Sequence, residues 1–219
     1  NLQQKLTDPV EPMNNSLLGT ELDYAANIET LFVGAQAADA YGGGSGNVYG
    51  FKHTDGRWNY VGDYTFPFNA SDKAGTDVSY SKNKLAINST NDDDAGPDEG
   101  AVYVYRVNED STLEFEQKLT GSPDSFQGDV NQVKLDGDKL FVGAYTHTNE
   151  GRLFYYQFDG TTWNLVQTLS SPTPSANGQF STTLSVEGNT LVVEERHYNE
   201  VPYNNNGAVH IYNYNGTSW

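Results

Sequence analysis

Apolar and polar residues alternate along this chain in short runs, and the runs recur. Val102 and Val104 alternate with Tyr103 and Tyr105 in the segment AVYVY, and comparable segments appear as NVYGF, RLFYY and AVHIY. A period of two marks β-strands. The pattern predicts strands over 114–119, 129–135, 139–143 and 152–158, joined by turns at Asp136-Gly137, Asp159-Gly160, Glu187-Gly188 and Asn215-Gly216. Asp-Gly and Asn-Gly pairs between alternating runs are hairpin signals, because both residues tolerate the positive φ that tight turns demand. No stretch carries a helical period of useful length.

The runs form four units of about 55 residues each, approximately 1–58, 59–113, 114–163 and 164–219. Trp58, Leu113, Trp163 and Trp219 close the units, and Gly46, Gly100, Gly151 and Gly207 each open a strand. Four antiparallel strands per repeat predict an all-β fold, a β-propeller of four four-stranded blades. The opening segment Asn1–Leu6 has the phase of Asn164–Leu169. It is therefore expected to complete the last blade and close the ring. The alternative is a four-blade portion of a larger propeller.

Composition narrows the partners. With 29 acidic and 12 basic residues the net charge is −17. Such a surface repels nucleic acid and anionic membranes and attracts cations and basic partners. Solubility is the blander reason for excess acid. The chain has no cysteine, which excludes thiol catalysis and thiolate metal sites. It also has no apolar run of about 18 residues, so membrane insertion is not expected. Sequons occur at Asn14, Asn69, Asn88 and Asn215.

The segments LDGDKLFVGA (135–144), IETLFVGA (28–35), GAVYVY (100–105) and GAVHIY (207–212), with EQKL (116–119) and QQKL (3–6), resemble FG-GAP repeats, the blade units of the integrin α-subunit head. That resemblance implies an extracellular or cell-surface propeller without catalytic activity, serving adhesion. The FG element is degraded, and the Gly-Ala pair is replaced by Asn88-Ser89 and by Glu194-Glu195. The Asp-rich calcium loop of many integrin blades is absent.

Long, variable loops fall on one face, where binding residues on a rigid scaffold usually sit. The candidate ligand-binding residues there are Tyr41, Tyr145, His147, Glu195, Arg196, His197, Tyr198 and Tyr203. Tyrosine suits sugar faces and protein interfaces. A charged pair ending an inner strand breaks the repeat pattern, and such breaks mark functional sites or internal ion pairs. His147 and His197 sit at similar places in adjacent units and could share a metal; exposed loop histidines are the blander reading. Asp92, Asp93, Asp94 and Asp98 form the densest acidic cluster. They could supply the oxygen ligands of calcium, the one cofactor expected, or form a solvated loop.

Three functions follow. The first is a non-catalytic module recognising protein or glycan through the long loops, with oligomeric state left open. The second is a structural spacer within a large surface protein. The third is a propeller glycoside hydrolase or lyase, for which Glu194 or Glu195 would have to meet an acid of the 92–98 loop about 5 Å away.

Overall fold

In the computed structural model, residues 3–10, 15–62, 64–96, 99–121, 126, 130–174, 177–200, 203 and 205–219 are described. They form four antiparallel sheets placed one after another as propeller blades. The first comprises β1 (Leu22–Ala25), β2 (Thr30–Gly34), β3 (Val48–Thr54) and β4 (Arg57–Tyr60). The second comprises β5 (Ala74–Ser81), β6 (Lys84–Ser89), β7 (Ala101–Val107) and β8 (Leu113–Leu119). The third comprises β9 (Val130–Asp136), β10 (Lys139–Ala144), β11 (Arg152–Phe158) and β12 (Trp163–Leu169). The fourth has three strands, β13 (Phe180–Glu187), β14 (Thr190–Glu195) and β15 (Ala208–Asn213). Among the described residues, helix is confined to two short 3₁₀ turns, Ala26–Ile28 and His147–Asn149.

Each sheet is a meander, so every strand finds its hydrogen bonds in its sequence neighbour. Alternation then decides which side chains face the adjoining blade. Phe32, Val78, Ile87 and Tyr103 fill the space between the first two sheets. Leu140, Val142, Val102 and Phe154 fill the next junction, and Phe141, Tyr155, Leu191 and Val193 the last. On the far side of the fourth sheet Val209 and Ile211 are exposed.

The glycines that open the third strands have a steric reason. Gly151 has a φ of +90°, and a Cβ there would lie 2.2 Å from the carbonyl oxygen of Phe180 in the next sheet. Its neighbour Glu150 accepts a hydrogen bond from Phe180 N at 2.9 Å. Gly46 meets Ala74 in the same way, with a φ of +78° and a virtual Cβ 2.1 Å from Ala74 O. Only a residue without a side chain lets the next inner strand pass this close.

A second device joins the outer strands. The Gln117 side chain on β8 accepts from Trp163 N at 2.7 Å and donates to Trp163 O at 3.1 Å. Gln167 grips the backbone of Trp219 in the same two-bonded way, and Gln4 that of Trp58. At the remaining junction the corresponding residues are Gly62 and Leu113, and no such clasp forms.

This geometry corrects the reading of the opening segment. Residues 3–8 form no strand. Gln4 is fastened to Trp58, and Leu6 packs against the cluster of Val33, Tyr49 and Phe51 on the first sheet. Among the described residues no strand pairs with the outer edge of β15. The sequon at Asn88 also loses its meaning. Its side chain is fully buried and donates to Val130 O at 2.9 Å.

Candidate functional site

The break in the repeat at Glu194-Glu195 becomes chemistry in the fourth sheet. Register pairs Glu195 with Ala208 and Val193 with His210. Residues 195 and 210 therefore share a face as diagonal neighbours, within reach of long side chains. His210 Nε2 lies 2.9 Å from Glu195 Oε2, and the same oxygen accepts from Ser171 Oγ at 2.6 Å. Glu195 is completely buried, while the imidazole keeps a small opening to solvent, its side chain 14% exposed. The Phe180 and Tyr198 rings flank it at 5.6 and 6.4 Å.

A carboxylate buried this fully is costly unless paired and hydrogen-bonded. Its counterparts in the second and third sheets are Ser89 and Ala144, which carry no charge. A neutral imidazole that donates Nε2–H to this carboxylate presents a lone pair at Nδ1. The loop beyond is folded on itself. Tyr198 O accepts from Asn206 N and Gly207 N, and Asn199 and Asn206 side chains accept from Asn205 N and Glu200 N. This loop brings Arg196, His197, Tyr198 and Tyr203 to the rim, with Arg196 and Tyr203 exposed and His197 and Tyr198 half-buried.

The other candidates are dispersed. Tyr41 belongs to the junction of the first two sheets, where its hydroxyl donates to Tyr64 O at 2.8 Å and accepts from Phe66 N at 3.1 Å. Tyr145 and His147 lie beyond β10 in the third sheet. His147 is buried, its ring 5.8 Å from Phe154, so it and His197 occupy separate blades. Asp92 is buried and accepts from the Tyr103 hydroxyl at 2.6 Å. The Lys118 ammonium sits 2.7 Å from Asp92 and 2.5 Å from Asp94. Burial works against that ammonium, but the two carboxylates outweigh it and hold its pKa above the usual lysine range. Asp93 is exposed, and Asp98 lies outside the described residues. Among the described residues no group of three or more His, Asp or Glu side chains could hold a metal ion. The acids of the 92–96 loop and Glu195 are held by partners of their own in different blades, so the carboxylate pair required of a glycosidase does not form from them.

Sequence reading missed His210 and Ser171. It also missed Asp77, on the inner strand β5. Asp77 Oδ2 accepts from Val133 N at 2.8 Å, bridging the second and third sheets. Its other oxygen makes no hydrogen bond, with Lys134 Nζ 4.0 Å away. Burial, against the opposing pull of Lys134, pushes this carboxyl up to about 7.

Four antiparallel sheets in series, fastened glycine to strand and strand to strand, define a β-propeller. No family model and no curated protein matches the chain. Solved structures do. One is a "putative 6-phosphogluconolactonase" from Bacteroides uniformis, 14% identical, with a TM-score of 0.53 over 87% of this chain and 56% of that one. Another, of the same description and from Bacteroides fragilis, is 10% identical, with a TM-score of 0.44 over 91% and 68%. The chain thus spans just over half the length of the B. uniformis protein. At such identity the likeness establishes the fold.

These findings correct three expectations. The resemblance to FG-GAP repeats has no support: no family model matches, and the propellers found carry an enzyme's name. The motif read as FG-GAP reflects general blade geometry, since its glycines Gly34, Gly46, Gly143 and Gly151 stand where the next inner strand passes. The non-catalytic adhesion module, and with it the absence of catalysis, loses its ground in the same way: it rested on that resemblance, and the B. uniformis propeller carries an enzyme's name.

Proposed function

We propose that this chain is a hydrolase of sugar lactones, with His210 as general base and Glu195 as the residue that orients it. The observation that carries the reading is the buried Glu195–His210 pair, 2.9 Å apart, with Glu195 placed where the second and third sheets have Ser89 and Ala144, and His210 where they have Tyr103 and Phe154. The name of the B. uniformis propeller supports the substrate class.

The chemistry balances simply. Nδ1 of the neutral imidazole takes a proton from water as its oxygen bonds to the lactone carbonyl carbon. The ring C–O bond then breaks, the imidazolium returns the proton to the departing oxygen, and the product is the open hydroxy acid. Glu195 stabilises the imidazolium between these steps, the part a buried carboxylate plays behind a histidine base. Ser171 holds the Glu195 carboxylate in place.

Hydrolysis of glucono-δ-lactone and of 6-phosphoglucono-δ-lactone, followed by pH-stat against the spontaneous rate, tests this. His210→Gln should lower kcat by roughly 100-fold or more, with a thermal melt showing that the variant is folded. A wild-type chain no faster than buffer on either lactone, or a variant with undiminished turnover, would sink the proposal.

A further inference from the structure

The junction of the first two sheets is the one where the Gln–Trp clasp is missing, and there the surface opens. Three hollows of about 390, 410 and 490 Å³ meet at Thr65. Gly62 and Leu113, which replace the clasping pair, line the first. Without a glutamine to draw the outer strands together, the segment 64–68 lies between them as an aromatic floor. Phe66 and Phe68 stack at 4.8 Å, and Phe66 meets Tyr105 edge-on at 5.4 Å.

The walls add exposed rings and acceptors. Phe115, 55% exposed, lines two of the hollows. Its counterpart by register, Leu165, is half-buried in the third sheet. Tyr60 and Tyr64 are half-buried at the other end, beside Asp8 and Asp39. Among the described residues the one cation in the walls, Lys118, is already matched by Asp92 and Asp94.

We infer that this junction is a binding cleft for a neutral oligosaccharide, separate from the His210 site. Ring faces pack on the apolar faces of pyranoses, while the carboxylates accept from sugar hydroxyls. Uncompensated acid repels phosphate, sulfate and uronate ligands, and carboxylates at the edge disfavour a purely apolar one. A cleft that spans three hollows suits several sugar units in line.

Saturation-transfer NMR with cellohexaose, xylohexaose and mannohexaose tests the inference, with hexalysine as the control for a basic peptide. At least one hexasaccharide should bind. Phe115→Ala changes an exposed ring and leaves the core intact, and it should weaken that binding roughly tenfold; His210→Gln should leave it unchanged. Absence of binding by all three sugars overturns the inference. So does binding that survives Phe115→Ala together with Tyr60→Leu, binding lost on His210→Gln, or occupation of the cleft by hexalysine alone.

Discussion

Two residues show how unequally sequence exposes its reasons. Gly151 is legible as a repeat position, the counterpart of Gly46, Gly100 and Gly207 in the other units, but its cause is a contact with another blade. With a φ of +90° and a virtual Cβ 2.2 Å from Phe180 O, Gly151→Ala should destabilise the protein by roughly 2–4 kcal/mol. Urea denaturation read by tyrosine fluorescence checks this, and an unchanged midpoint would refute the close approach. Glu195 was visible as an interruption of the Gly-Ala pattern. His210 was not, because it sits in an alternating strand where a histidine breaks no rule. Counting back from the 195–208 pairing would have put it on the face of Glu195, yet that pairing is fixed only once the length of the loop between them is known.

Elements were largely legible. Residues 152–158, predicted from alternation, are β11 as observed, and the Asp136-Gly137 pair turns β9 into β10. Local signals suffice for meanders, since each strand pairs with its neighbour in sequence. What joins one sheet to the next was hidden. The clasp uses a glutamine side chain against another blade's backbone, 46 residues away for Gln117 and Trp163, and no local pattern announces it. Gln117→Ala removes both bonds and should cost about 1–2 kcal/mol, with hydrogen exchange accelerating at the Trp163 amide. Equal exchange in the two proteins would show that the clasp carries no stability. The opening segment shows the same split: Gln4 clasps Trp58 as its outer-strand phase implies, yet residues 3–8 form no strand and do not complete the fourth sheet.

The whole molecule carries charge on its surface and a few acids at its heart, and these respond differently to pH. Asp77 titrates at about 7 when folded and near the ordinary carboxyl value of about 4 when unfolded. The folded state therefore holds this proton more tightly. Its contribution is full below about pH 4 and is lost as pH rises through about 7. Asp77→Asn keeps an acceptor for Val133 N and removes the charge. It should match the parent at pH 4 and exceed it at pH 8 by roughly 1–4 kcal/mol. Thermal melts across that range test this, and identical profiles would refute it. At this scale the clasp has one more consequence. Because Gln117 and Gln167 engage only the main-chain N and O of residues 163 and 219, the fastening asks nothing of the side chain it holds. A gene segment copied in tandem would bring a working joint with it, and its sequence could drift freely thereafter. Where the joint is absent, at Gly62 and Leu113, the surface between the sheets is hollowed.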